Sequence, residues 1–168
     1  MGFSITTQVI PYSEPVRQVS KHVDTTQLKC MAQNIFYEAQ NESHEGQAAV
    51  ARVVINRMKH GFGKTPCHVV LQSRIITVIN DSGEVVKVKQ CQFSWTCVRQ
   101  KTINTATKKY KQAEQIAYNV LVNDSYSNVV PKSALFFHSA LIAPMWAYRQ
   151  VAVIGNHIFY ANPPKENK

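Results

Sequence analysis

The segment NIFYEAQNESHEGQAAVARVVINR, residues 34–57, carries three carboxylates, Glu38, Glu42 and Glu45, in an otherwise apolar and amide-rich run. A charged carboxylate is costly to bury, so Glu38, next to Ile35, Phe36 and Tyr37, belongs either at an edge or where its proton is held for use. A Glu that keeps its proton near neutral pH is a general acid, able to protonate a poor leaving oxygen. Position alone favours the plainer reading of a helix-terminal surface carboxylate paired with Lys or Arg. Glu42 reads as a turn residue and Glu45 as a first-turn acid at the N-terminus of a second helix.

Other chemistries lack their residues. HEGQA begins like the zinc-protease motif H-E-x-x-H, but Ala48 stands where the second metal ligand belongs. Neither G-x-S-x-G nor a phosphate-binding glycine loop occurs. None of the four cysteines, Cys30, Cys67, Cys91 and Cys97, lies in a C-x-x-C pair, and His68 beside Cys67 is not at zinc-finger spacing, so no metal is expected. Cys30, on the apolar side of a predicted helix, reads as a small buried hydrophobe. Cys67 could pair with Cys91 or Cys97 in an oxidising space.

The elements that must position these groups follow from periodicity and capping. Asp24 and Gln27 start a helix over about 25–40, with Leu28, Met31, Ala32, Ile35 and Ala39 at helical spacing, which puts Glu38 near its C-terminal end. Ser43 caps a second helix whose stripe of Val50, Val53, Val54 and Met58 ends before Gly61 and Gly63. RIITVIN and EVVKVK flank Asp81, Ser82 and Gly83 as a β-hairpin, and a third helix over about 105–123 carries Tyr110, Ala113, Ala117, Val120 and Leu121 on one face. ALFFH and VAVIGNHIFY supply the last strands, with Gly155 and Asn156 as a two-residue turn. Helices dominate and strands are short and sequential, so the expected class is α+β.

A chain of 168 residues with 45% hydrophobic content fits one compact domain, here expected over 25–162, behind an irregular arm over 1–24 that holds Pro11 and Pro15, and before a polar tail over 163–168. The longest charge-free stretch of the C-terminal half, SALFFHSALIAPMWAY, contains a His and a Pro and is shorter than the ~18 apolar residues a membrane-spanning helix needs. The first residues lack a basic segment followed by an apolar core, so no secretory signal is expected, although Met1, Gly2 and Thr6 fit the short myristoylation pattern. A net charge of +9 and a pI of about 9.5 imply attraction to polyanions such as nucleic acid, anionic lipid or bacterial envelope polymers. Lys87, Lys89, Arg99, Lys101, Lys108, Lys109 and Lys111 are spread as on a solvated basic face. No helix shows an Arg and aromatic recognition pattern, so a specific nucleic-acid partner is not expected.

Four blocks in order, NIFYEAQNESHEGQAAVARVVINR, CQFSWTC, FFHSALIAPMWA and VIGNHIFY, resemble the SleB-type cell wall hydrolases, a family that includes spore cortex-lytic enzymes and phage endolysin-like proteins. The resemblance covers about residues 26–160, and the hairpin near 75–89 looks like an insertion. It implies a mostly helical lysozyme-like or transglycosylase-like domain with short β-hairpins, no cofactor, and Glu38 of the Y-E-A block as the catalytic acid, which reverses the surface reading. The implied reaction is cleavage of the β-1,4 bond between N-acetylmuramic acid and N-acetylglucosamine in peptidoglycan. A lytic transglycosylase needs Glu38 alone, whereas a muramidase-type hydrolase needs a second carboxylate, for which Glu42 and Glu45 are the candidates.

Candidate sugar-contacting residues within these blocks are Tyr37, Gln47, Gln92, Phe93, Ser94, Trp95, His138, Trp146 and His157. Phe93 and Trp95 are equally readable as core aromatics, Gln47 as an exposed helix amide, His138 and His157 as buried structural histidines, and Asn156 as a turn residue. The expected partners are glycan strands and the anionic bacterial envelope. Virion or lysis-cassette proteins join them if the chain is a phage lysin, made in the host cytoplasm and delivered to the wall by other means. A basic binding or virion module without turnover is the contrasting expectation; the intact Glu38 favours an enzyme.

Overall fold

The computed structural model describes residues 23–163. Nearly all of the expected arm, the Met1, Gly2 and Thr6 pattern and most of the polar tail lie outside the described residues. Helix α1, Thr25–Ala39, starts where Asp24 accepts from the Thr26 N–H at 2.8 Å, and α2, His44–Lys59, starts where Ser43 accepts from the Gly46 N–H at 3.2 Å. Gly61, at φ +81°, ends α2 in a backbone conformation that side-chain-bearing residues avoid. A short helix α3, Pro66–Val70, precedes the hairpin of β1, Ser73–Ile79, and β2, Val85–Cys91.

A single 3-10 turn, Ser94–Cys97, leads toward α4, Lys108–Asn123. The latter starts later than expected because Asn104 builds its own turn. Its side-chain oxygen accepts from the Ala106 N–H at 3.0 Å, and its backbone carbonyl accepts from the Thr107 hydroxyl at 3.1 Å. Thr107 then caps α4, accepting from the Tyr110 N–H at 3.3 Å. The strands β3, Phe136–Ser139, β4, Arg149–Ile154, and β5, His157–Ala161, form an antiparallel sheet in the order β3–β5–β4, so the fold is α+β as expected.

Helix α2 is buried along most of its length and divides the core. Ala48, Ala51 and Val54 meet Met31 and Ile35 of α1, Val70 of α3 and Tyr110 and Val120 of α4. Ala49 and Val53 face the other way, against Phe159, Val130 and Ala134. Alanines on both faces let helix and sheet approach α2 closely, and each fully buried Val or Ile contributes roughly 1.5 to 3 kcal/mol relative to exposure. Arg52, also on α2, reaches the end of α4, where it pairs with Asp124 at 2.6 Å and donates to the Ser125 carbonyl.

The cysteine pairing differs from expectation: Cys30 bonds Cys67, and Cys91 bonds Cys97. The reason is α3, too short to show in the hydrophobic period. It lays Cys67 against α1, with the Cys67 N–H donating to Gln27 at 3.0 Å and the Cα of Cys67 5.3 Å from that of Cys30. The 3-10 turn reverses the chain so that Cys91 and Cys97 meet directly, with Cα atoms 5.6 Å apart. Among the described residues no helix is long and apolar enough to cross a membrane.

Candidate active site

Glu38, in the last turn of α1, opens into a groove of about 910 Å³. One wall is the base of the hairpin, with Ser73, Arg74, Gln90 and Cys91, continued by Gln92, Phe93 and Ser94. The opposite wall is the sheet and its flanks, with Phe136, Phe137, His138, Tyr148 and His157. Ile142 and Trp146 line the groove from the charge-free loop that follows β3, whose Leu141 and Met145 are exposed. Among the described residues that line the groove, Glu38 is the one carboxylate.

Two opposing influences set the proton affinity of Glu38. Burial penalises the carboxylate and raises its pKa to about 7, while the positive charge of Arg57 pulls the other way. Arg57 is itself 2% exposed. Its Nε donates to the Leu135 carbonyl at 2.6 Å, and the Gln92 amide oxygen, turned toward it, accepts from both terminal nitrogens at 3.0 and 2.9 Å. Phe93, Phe136 and Phe62 surround the guanidinium with ring centroids 5.2, 5.4 and 5.9 Å from its carbon. Burial lowers the Arg57 pKa to about 10, with Tyr148 and Glu38 opposing the shift, so it stays a cation at neutral pH.

The histidines are held by the sheet. His138 Nδ1 meets the Ser139 carbonyl at 2.7 Å, an oxygen that can only accept, so the neutral ring carries its hydrogen on Nδ1 and accepts at Nε2 from the Tyr160 hydroxyl at 2.8 Å. Trp146 packs edge-on against His138, with ring centres 5.3 Å apart. Burial lowers the pKa of His157, with the Glu42 carboxylate opposing the shift and the neighbouring His138 adding to it, and its buried Nδ1 has no protein partner among the described residues.

Glu42 sits behind this wall, outside the groove lining. Its carboxylate accepts from the Asn156 backbone N–H at 3.0 Å and side-chain amide at 3.1 Å. Burial opposes ionisation there, but the two Asn156 hydrogen bonds and the charge of His157 outweigh it and lower the pKa. The fit is tight: a Cβ on Gly155, itself at φ +56°, would stand 2.1 Å from a Glu42 oxygen, and one on Gly46 would stand 2.8 Å from the Glu42 Cβ. Glu42 thereby clasps the α1–α2 turn to the β4–β5 turn, and Glu45 is exposed on α2.

Of the sequence-predicted residues, the groove brings together Glu38, Gln92, Phe93, Ser94, His138, Trp146 and His157. It does not gather Tyr37, Trp95 or Gln47. Tyr37, one residue and therefore about 100° around the helix from Glu38, stacks on Trp95 at 4.6 Å and lines a separate shallow depression with Phe36 and Lys101. Trp95 packs against the helical core and donates its indole N–H to Asn34 at 3.0 Å. Gln47 is 1% exposed, with its amide donating to the Glu42 carbonyl at 3.1 Å.

Sequence reasoning missed Arg57, Arg74 and Tyr148. For Arg57 a signal existed: it continues the buried stripe of Val50, Val53 and Val54 at helical spacing, where a cation needs a reason. Arg74 and Tyr148 reach the groove through the hairpin and sheet and carry no local signal.

Residues 41–160 match the family model of cell wall hydrolases, a match that begins just after Glu38. No curated protein matches the chain. A solved structure, the catalytic domain of the Bacillus cereus SleB protein, is similar at 23% identity and a TM-score of 0.47, over 88% of this chain and 99% of that one.

Proposed function

The chain belongs to the cell wall hydrolase family, and from that footing we propose that it cleaves peptidoglycan glycan strands at the β-1,4 bond between N-acetylmuramic acid and N-acetylglucosamine, as a lytic transglycosylase. The observation that carries the proposal is a groove lined by one carboxylate, Glu38, whose pKa of about 7 leaves it able to work in both protonation states. Protonated Glu38 gives its proton to the glycosidic oxygen as the bond to C1 breaks. The resulting carboxylate, steadied by Arg57, takes the proton of the muramic C6 hydroxyl as that oxygen bonds to C1. The proton inventory closes on Glu38, and the product carries a 1,6-anhydro end.

A muramidase would need a second acid on the far side of the sugar. Glu42 is held by Asn156 and Glu45 lies outside the groove, so neither supports that route. In this reading Ser94, His157 and the amide nitrogen of Gln92 bind sugar, His138 holds the wall through its bonds to Ser139 and Tyr160, and Trp146 is an apolar platform at the rim; all five line the groove. Two disulfides among the described residues fit an enzyme working in the oxidising envelope, as a phage lysin released there or carried on a particle would.

Mass spectrometry of the fragments released from purified sacculi tests this. Anhydro ends support the transglycosylase, reducing ends make it a hydrolase, and no release leaves the binding-module alternative.

A further inference from the structure

The hairpin has two faces of different character. Register pairs Arg74 with Gln90, Ile76 with Val88 and Val78 with Val86 on one face, and Ile75 with Lys89, Thr77 with Lys87 and Ile79 with Val85 on the other. At the base of the hairpin one pair from each face lines the groove, Arg74 with Gln90 and Ser73 with Cys91; farther out the two faces differ in how far their aliphatic side chains are covered. On the Arg74 face Ile76, Val78 and Val86 are half-buried and Val88 is 38% exposed, whereas Ile75, Ile79 and Val85 opposite are 65%, 73% and 72% exposed.

Two guanidinium groups line the groove, and they differ in what they have left to offer. Arg57 is buried and spent on Leu135, Gln92 and three rings. Arg74 is exposed and held by one hydrogen bond, Nε to the Gln90 side-chain oxygen at 2.8 Å. That bond fixes the plane of the guanidinium and leaves its two terminal nitrogens, the pair that grips a carboxylate, for a ligand.

A glycan backbone of neutral sugars offers such a group hydroxyl and acetamido oxygens but no carboxylate. In peptidoglycan the carboxylates belong to the muramic acid substituent: the lactyl group itself, or the short peptide attached to it, which also carries methyl-bearing side chains. An oriented cation at the groove and a half-buried aliphatic ladder just beyond it match the peptide on both counts. Resting on the glycan-cleaving role proposed above, we infer that this face of the hairpin is a subsite for the acidic peptide branch of the substrate, with Arg74 taking a carboxylate and Ile76 and Val88 receiving its apolar side chains. The hairpin then makes the enzyme a reader of peptide-bearing muramic acid.

The test compares soluble peptidoglycan strands with intact peptides against the same strands stripped by an amidase, which hydrolyses the lactyl–peptide amide, removes the peptide and frees the lactyl carboxylate. For Arg74→Gln the ratio of kcat/KM on peptide-bearing to stripped strands should fall roughly three- to tenfold, the value of one exposed charge-assisted pair. The fall should appear in KM, and Arg74→Lys, which keeps the charge, should recover part of it. An equal loss on both substrates would assign Arg74 to the sugars and a larger loss on the stripped strands would assign it to the freed lactyl carboxylate; either would overturn the peptide subsite, as would no loss on either substrate. Wild-type protein that cuts neither substrate would instead refute the glycan-cleaving role itself.

Discussion

Replacing Glu38 by Gln is expected to remove glycan cleavage and, above neutral pH, to make the protein more stable. The carboxyl binds its proton more tightly in the folded chain than in the unfolded one, because burial raises its pKa from the ordinary 4.5 to about 7 with Arg57 opposing. Below pH 4.5 both states hold the proton and Glu38 carries no penalty; as pH rises toward 7 the unfolded chain ionises first and stability is lost; above about 7 the loss is complete. One pH unit between the two values is worth about 1.4 kcal/mol, so the interval from 4.5 to about 7 sets a ceiling of about 3 kcal/mol. The Gln side chain keeps the shape without the charge and escapes this penalty. At about 2 to 4 °C per kcal/mol for a chain of this size, Tm should rise by up to about 12 °C at pH 8.5 and hardly at all at pH 4. Thermal unfolding of both proteins at the two pH values, beside fragment release from sacculi, measures both effects. An identical Tm difference at both pH values would refute the argument that Glu38 is held desolvated. Retention of more than about a tenth of wild-type cleavage would refute a single-acid mechanism, given that such catalysis is worth ~100-fold or more.

Cleavage by wild-type protein should decline above about pH 7, where Glu38 has lost its proton, and Arg57→Met should move that decline to higher pH in a pH–rate profile, since removing the cation strengthens proton binding. The same variant should lose roughly 2 to 4 kcal/mol of stability in denaturant titration, because Leu135 and Gln92 are left without their buried donor. Cys91→Ala with Cys97→Ala should lower cleavage while leaving the helical circular dichroism unchanged, since that disulfide closes the loop holding Gln92, Phe93 and Ser94 at the groove and is worth roughly 2 kcal/mol in the chain-entropy model; full activity would show that the loop holds itself. Charge reversal at Lys108, Lys109 and Lys111, exposed at the start of α4 and outside the groove lining, should weaken sacculus binding and its salt dependence but spare turnover of a short soluble glycan. An equal loss on both substrates would place those lysines in substrate binding.

What could be read from the chain was what nearest neighbours decide. Asp24 and Ser43 fix the starts of α1 and α2 through hydrogen bonds to residues two or three positions on, and Gly155, at φ +56°, sets the turn of the last hairpin beside Asn156. Glu38 was singled out by the resemblance carried by its Y-E-A block, since its apolar sequence neighbours alone left the surface reading the plainer one. What Glu42 does was not legible, because its partner Asn156 lies 114 residues away. The disulfides followed the same logic: Cys30 meets Cys67 only after a five-residue helix turns the chain, and five residues are too few for a period to show. Tyr37 and Trp95 carried the right chemistry for sugar binding but satisfy each other, and nothing in their spacing foretells that stack.

The order of the sheet bears on how the molecule comes into being. β3 and β4 both pair with β5 and not with each other, so the strand at the centre of the sheet is the last to be synthesised. The helices can collapse on one another while the chain is still growing, since α1, α2, α3 and α4 share a cluster of their own. The wall that presents His138 and His157 cannot, because His138 has no strand to register against until Ile158 arrives. A growing chain that lacks β5 therefore holds Glu38 at a helix end with only the hairpin side of its groove in place, and the opposite wall takes register once β5 has been made.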